Sequence, residues 1–366
     1  MPDTANSTAR PRVLSGMRPT GKLHLGNYMG ALHNWVKLQN DEIARYECYF
    51  FIADWHALTT DYADTSQVAP NTVEVMLDYL GAGLDPEKSV LFLQSQVPQH
   101  SQLFLILSMV TPLGWLERVP TYKEQQENLT GKDLSTYGFL GYPLLQAADI
   151  LLYQPQFVPV GQDQVAHVEL TREVARRFNQ FYAPRFGPMR RMEGVAGGEP
   201  PDPGFAMRPV LPEPQVLLTP SPKLPGTDGR KMSKSYGNTI LITDPEPEVR
   251  KKLKTMVTDP ARIRRTDPGD PDKCPVGDLH KVFSTSETMA KVYEGCRSAG
   301  IGCIECKGWA ADALVQILAP IQQRRASFSK AQAIEILKEG SRRAEQRAAH
   351  TMKEVHAAMQ MTLIGE

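Results

Sequence analysis

The run Ser15-Gly16-Met17-Arg18-Pro19-Thr20-Gly21-Lys22-Leu23-His24-Leu25-Gly26-Asn27 decides how the chain is read. It follows the apolar Arg12-Val13-Leu14 and precedes Tyr28, Met29, Ala31, Leu32, Trp35, Val36 and Leu38, which recur at helical spacing. Strand, glycine-rich turn and helix in that order suit phosphate binding. Gly16, Gly21 and Gly26 allow close approach of a ligand to the backbone, and the helix start offers free N–H groups and a positive dipole end. The turn is neither G-x-G-x-x-G nor a P-loop, because the G-K-[ST] ending is absent. A histidine at the helix start, His24, needs another explanation.

Outward from this stretch, residues 1–11 lack an apolar pattern and read as a mobile tail. Tyr46 to Ala53 reads as a buried strand ending at Asp54-Trp55-His56, a helix is predicted from about Gln67 to Gly81, and Val90-Leu91-Phe92-Leu93 supplies another strand. Strands alternating with helices predict a parallel sheet of the α/β class. Ligands bind such sheets beyond the carboxyl ends of the strands, which directs Ser15, Asp54 and Gln94 toward one crevice. Residues from about 102 to 155 turn mainly helical, as an insertion between two halves of the sheet. The strand signal returns at Phe157 to Val160, and Gly161-Gln162-Asp163-Gln164 opens a long amphipathic helix to about Phe178. Residues 183–228 are rich in Pro and Gly and read as a long surface excursion, partly mobile. Thr239 to Ile242 reads as a strand and Pro245 to Met256 as a helix. The remainder is helical, including Ala310 to Arg325 and Ser329 to Met361. The boundary between the two parts falls near Asp244, giving units 12–244 and 245–366.

With 366 residues, 41% hydrophobic and 22% charged, the chain can bury a sizeable core in two or three domains. A formal net charge of zero argues against a generally basic nucleic-acid coat. A local basic stretch does exist between Arg230 and Arg265, including Arg250, Lys251, Lys252, Lys254, Arg262 and Arg264. No N-terminal segment resembles a signal peptide, and no apolar run approaches the roughly 20 residues that span a bilayer. The cytoplasm is the expected location, with no membrane partner.

Two phosphate-friendly segments far apart in the chain, Thr20 to Asn27 and Lys231 to Ser235, call for one explanation. Taken singly, Lys231 and Lys234 make a solvated basic loop and His24 a helix cap. Together, Lys231-Met232-Ser233-Lys234-Ser235 and His24-Leu25-Gly26-Asn27 resemble the two signatures of the class I aminoacyl-tRNA synthetases, Lys-Met-Ser-Lys-Ser and His-Ile-Gly-His. Ala147-Ala148-Asp149-Ile150-Leu151, Val158 to Gln164, and His167 to Arg172 are similar to the tryptophanyl-tRNA synthetases. The resemblance covers nearly the whole chain, apart from the N-terminal tail and part of the Pro/Gly excursion.

The resemblance implies a Rossmann-like parallel-sheet catalytic domain with a helical insertion used for homodimer contact, then a C-terminal all-helical domain for anticodon recognition. It implies tryptophan activation by Mg²⁺-ATP, followed by transfer to tRNA-Trp. Attack of a carboxylate on the α-phosphate needs little proton transfer, so positioning and charge stabilisation carry the rate enhancement. By the same resemblance Lys231, Ser233 and Lys234 face the leaving pyrophosphate, with His24 and Asn27 opposite. Arg18, Thr20, Gly26, Gly161, Asp163 and Met232 complete the ATP site. Asp149 would accept the indole N–H and Tyr142 would line the amino-acid pocket. Gln164 and Gln146 would sit near the ammonium, and Ser15, Gly16 and His56 nearby. Two positions depart from the pattern: Gln146 stands where many bacterial relatives have Met and tyrosyl enzymes have Gln, and Arg18 replaces a common Gln. A tyrosyl enzyme is the alternative within the class. A catalytically silent relative that binds RNA or senses tryptophan is the alternative outside it.

Of five cysteines, Cys48 sits in an apolar run and reads as a core residue. Cys274, Cys296, Cys303 and Cys306, spaced C-x21-C-x6-C-x2-C, read as a metal site rather than disulfides in a cytosolic chain. The spacing is similar to that of tryptophanyl enzymes carrying a [4Fe-4S] cluster, whose first gap is one residue longer. Four thiolates suit Zn²⁺ equally well in chemical terms, so both ligands stay open.

Overall fold

The structure is a computed structural model that describes residues 10–120, 134–183, 209–219 and 224–361. The expectations for the first nine residues of the tail, for part of the helical insertion and for much of the Pro/Gly excursion lie outside the described residues.

Strands β1 (Arg12–Met17), β2 (Glu47–Ile52), β3 (Ser89–Leu93), β4 (Phe157–Val160) and β5 (Gln215–Leu218) pair in the order β3-β2-β1-β4-β5. Every pairing is parallel, with Val13 opposite Cys48 on one side of β1 and opposite Phe157 on the other. Successive side chains of a strand point to opposite faces, and here both faces are covered. Val13, Cys48, Phe50, Ile52 and Leu91 enter one apolar cluster, while Leu14, Tyr49, Phe51, Val90 and Phe92 enter the other. That is why these strands read as continuous apolar runs. Trp35 stacks on Phe50 with ring centroids 4.9 Å apart and meets Tyr79 edge-on, fixing the first helix against the sheet. Burying such a side chain contributes about 1.5–3 kcal/mol.

Two expectations change. Residues 183–228 contain β5, the outermost strand, so this segment is not wholly a surface excursion. Four residues, Gln-Val-Leu-Leu between prolines, are too few to show a period. Thr239 to Ile242 joins no strand of the sheet: Leu25 N donates to Ile240 O at 2.9 Å and Ile242 N to Leu23 O at 3.0 Å, around a single bridge between His24 and Leu241. Its apolar residues serve to tie the second signature to the first.

The helices after Asp244 share the core of the sheet. Val249, Leu253, Leu279, Leu314, Leu318 and Leu337 belong to the cluster that contains Val13 and Phe50, and Ala344, Ala348 and Met352 to the one that contains Leu14. The last helix, Lys330–Ala358, starts at a capping box formed by Ser329 and Gln332 and lies against β3. A Cβ at Gly340 would stand 1.8 Å from Leu91 O, so only glycine lets helix and strand approach this closely. Ser341 Oγ accepts from Leu93 N at 3.1 Å, which satisfies an edge donor of β3.

Candidate active site

A cavity of about 450 Å³ opens beyond the carboxyl ends of β1 and β4, where the sheet order reverses direction. It is lined by Ser15, Gly16, Arg18, Gly26, Asn27, His56, Tyr142, Gln146, Asp149, Gly161, Asp163 and Gln164 among others. These candidates come from five separate segments, and the fold brings them to one place. A Cβ on Gly16, within β1, would meet the Phe51 ring at 2.5 Å, so a side chain here would displace that ring. Asp54 and Gln94 lie behind the cavity wall: Asp54 Oδ1 accepts from Ser95 N, and Gln94 Oε1 from Trp55 N.

Asp149, buried on the helix Tyr137–Leu152, is the most heavily bonded group of the site. It accepts from His100 Nδ1 at 2.6 Å, from His56 Nε2 at 2.8 Å, and from Gln94 Nε2 at 2.8 and 2.9 Å. Burial pushes its carboxyl up, but the charge and hydrogen bond of His100, with those of His56, outweigh it and hold the group below the usual carboxylate range. Beside it Tyr142 Oη lies 3.5 Å from His167 Nε2, and His167 Nδ1 lies 3.1 Å from Gln164 Oε1. Burial, then the charge of His56, pushes His167 down to about 4, so it is neutral at pH 7. Sequence reading passed over His100, Tyr153 and His167 as site members, because nothing in their local pattern separates a site histidine from a core one.

His24 resolves into a specific role. Its Nδ1 accepts from Gly26 N at 3.1 Å and Asn27 N at 3.4 Å, while Asn27 Oδ1 accepts from His24 N. The histidine therefore caps the helix it begins, and two amides that could have met phosphate are taken. Burial, then Lys234 and Lys231, lowers its pKa to about 4. A neutral ring accepting at Nδ1 carries its proton on Nε2, so His24 can offer one N–H and no charge.

The lysine loop closes over this turn from the other side. Lys234 Nζ donates to Thr20 O and Gly21 O, both at 2.9 Å, and burial lowers its pKa to about 8. Met232 is buried in the core and anchors the loop, whereas Lys231 is exposed. Thr20, His24, Lys231, Met232, Ser233 and Lys234 thus form the rim of the first turn and do not line the cavity itself. Asn238, buried and passed over in the sequence, holds the loop: its Oδ1 accepts from Ser233 N at 2.8 Å and its Nδ2 donates to Lys231 O and Asp228 Oδ1. Behind the first turn, Asp78 accepts from Leu23 N and from Arg325 Nε, linking it to the helix Cys303–Ala326.

The four cysteines gather at helix ends. Cys274 precedes the helix Pro275–Phe283, Cys296 closes Ser286–Arg297, and Cys303 and Cys306 open Cys303–Ala326. The Cys306 thiol is pushed up to about 12 by burial and by the charges of Cys274, Cys296 and Cys303, which places all four in electrostatic reach. Among the described residues no group of three or more ligating side chains stands at metal-holding geometry. The two observations agree if the thiols are neighbours that do not converge on one centre. Arg262 Nη1 lies 3.7 Å from Cys296 Sγ, and its buried Nε has no partner among the described residues. Cys48 is buried in the core as expected.

Fold and crevice are those of the doubly wound α/β proteins. A family profile described as "tRNA synthetases class I (W and Y)" matches residues 6–319, and the chain belongs to that family. It is 49% identical to the tryptophan–tRNA ligase of Ralstonia nicotianae over 405 residues, covering 96% of this chain and 98% of that one. It is also 49% identical to the tryptophan–tRNA ligase of Thermotoga maritima over 353 residues, covering 96% and 99%. Among solved structures, tryptophanyl-tRNA synthetase from Campylobacter jejuni complexed with ADP and tryptophan superposes with a TM-score of 0.79 at 30% identity, covering 95% of this chain and 99% of that one.

Proposed function

We propose that this class I tRNA synthetase is a tryptophan–tRNA ligase: it forms tryptophanyl-adenylate and pyrophosphate from L-tryptophan and Mg²⁺-ATP, then transfers tryptophan to tRNA-Trp. The observation that carries the reading is Asp149, an ionised carboxylate at the cavity wall, buried and held by neighbouring donors. Such a group can accept a further N–H from a ligand in the cavity, an interaction that a side chain without an N–H cannot make. The names of the relatives point the same way.

The amino acid occupies the cavity lined by Asp149, Tyr142, Gln164 and Gln146, with Ser15, Gly16 and His56 alongside. ATP lies across the first turn, with Arg18, Thr20, Gly26, Asn27, Gly161 and Asp163 around it and the loop Lys231, Met232, Ser233, Lys234 above. In the reaction the tryptophan carboxylate bonds to the α-phosphate and pyrophosphate departs. Lys231 and Lys234 stabilise its growing charge, and His24 adds an uncharged N–H. Mg²⁺ arrives with the nucleotide and neutralises phosphate charge. ATP–pyrophosphate exchange supported by tryptophan is expected; exchange supported only by tyrosine overturns the assignment.

The helices of residues 245–366, with exposed Arg250, Lys251, Lys254, Arg264 and Arg265, meet the tRNA anticodon. The helical insertion forms a homodimer interface, supported by exposed Leu105, Met109, Leu113 and Phe181, with Arg177 stacked over Trp115 and Phe181. Cys274, Cys296, Cys303 and Cys306 hold a [4Fe-4S] cluster, or Zn²⁺ in the alternative, bracing the anticodon side. Anaerobically purified protein is then brown, and Cys303→Ser loses the colour and thermal stability while adenylate formation persists. A colourless zinc protein overturns the cluster. Among the described residues no helix is long and apolar enough to cross a membrane.

A further inference from the structure

His100 and Tyr153 touch no part of the cavity, yet they form a closed chain with the residue that borders it. Both are completely buried. His100 Nδ1 lies 2.6 Å from Asp149 Oδ1, and its Nε2 lies 2.9 Å from Tyr153 Oη. An ionised carboxylate only accepts, so Nδ1 of His100 must carry a proton. Nε2 then meets Tyr153 Oη, so both ring nitrogens have a partner and the ring cannot turn without losing them. The Tyr153 ring is fixed among Tyr49, Phe92 and His100, so the hydroxyl has little freedom to turn elsewhere.

The other contacts of Asp149 differ in kind. Gln94 is fully buried, and its amide is oriented by Trp55 N donating to Oε1, so it cannot leave the carboxylate. His56 borders the cavity and meets Oδ2 at 2.8 Å. His100 and Gln94 therefore hold the carboxylate from behind. His56 stands on the side from which a ligand comes.

We propose that His100 and Tyr153 are positioning residues for amino-acid specificity: Tyr153 fixes the orientation of the His100 ring, and His100 holds Asp149 with Oδ2 turned to an N–H donor in the cavity. The inference rests on the reading that Asp149 accepts the indole N–H. Loss of His100 leaves the carboxylate to rotate toward its remaining donors, and the preference for a ligand N–H weakens without any change in cavity shape.

The test compares kcat/KM in ATP–pyrophosphate exchange for tryptophan and for β-(3-benzothienyl)alanine, which keeps the bicyclic shape but carries sulfur in place of the N–H. His100→Leu is expected to lower the tryptophan-to-analogue ratio about 10- to 100-fold, mainly through the KM for tryptophan, with the KM for ATP unmoved. Tyr153→Phe is expected to lower it about 3- to 10-fold. His100→Asn, whose amide N–H can replace Nδ1–H, is expected to restore most of it. Equal loss for both substrates, or an unchanged ratio in Tyr153→Phe together with no rescue by His100→Asn, overturns the proposal. If His100→Leu does not fold, the other two variants decide. Asp149→Asn separates the two readings: an unchanged ratio there removes the role of Asp149 itself, whereas a collapsed ratio there beside unaffected His100 and Tyr153 variants removes only this inference.

Discussion

Lys234 Nζ and the carbonyl oxygen of Thr20, 214 positions apart in the chain, are 2.9 Å apart in the folded protein. The second carbonyl, Gly21 O, lies at the same distance. Two signatures that look independent in sequence are joined by one ammonium, and the environment of that ammonium has a measurable consequence.

Burial lowers the Lys234 pKa from 10.5 to about 8. Only the protonated form attracts phosphate, so kcat/KM for ATP is expected to fall as pH rises through about 8, approaching tenfold per pH unit. Lys234→Arg should abolish the fall in this range, whatever its absolute rate. Stability moves oppositely. Between about 8 and 10.5 the unfolded chain binds the proton that the folded protein has released, so this group makes folding more favourable with rising pH. pH profiles of pyrophosphate exchange and of thermal unfolding, measured side by side, check both signs.

Asn238→Ala removes three hydrogen bonds inside the turn that presents Lys231 to Ser233, and leaves Ser233 N–H without its acceptor. A loss of about 1–3 kcal/mol in stability is expected, with kcat/KM for ATP reduced about tenfold and the KM for the amino acid little changed. Urea unfolding and initial rates measure the two effects. An amino-acid KM that rises as much as that for ATP would show damage beyond the loop.

Gly340→Ala sets two effects against each other. Helix propensity favours alanine by about 1 kcal/mol. The new methyl, however, would stand 1.8 Å from Leu91 O, a backbone atom of β3 held between β2 and the helix, which cannot give way cheaply. Sterics should win, with a net loss of about 2 kcal/mol or more. Gly308→Ala, in a helix where the added methyl meets nothing within 4 Å, is the control and should be neutral or stabilising. Thermal unfolding of the pair decides it.

Met109→Asp places a charge in the exposed apolar face shared by Leu105, Leu113 and Phe181. If that face joins two copies, sedimentation should show the dimer of the parent protein converted to monomer. The circular dichroism spectrum should stay unchanged, because Met109 is 74% exposed in the single chain.

Much of this was legible from residue order. The apolar runs in β1 to β4 could be identified because both sheet faces are buried, and the helix signals were long enough to carry a period. What escaped was short or plural in partnership. β5 has four residues and draws its regularity from Phe157 to Val160 alongside. Thr239 to Ile242 looked like a strand because its residues are apolar, but its hydrogen bonds go to residues 23–25.

By itself the sequence determined the parallel α/β class, which depends on local periodicity, and offered the two signatures, whose residues are adjacent, and through the family resemblance the candidate set around Asp149. Only the tertiary structure decided that His24 spends Nδ1 on a helix cap, that Lys234 sits on Thr20 and Gly21, and that His100 and Tyr153 stand behind Asp149. The physical reason is the same in each case. A polar side chain has several possible partners, and which one it takes depends on the distances and burial created when distant segments pack together.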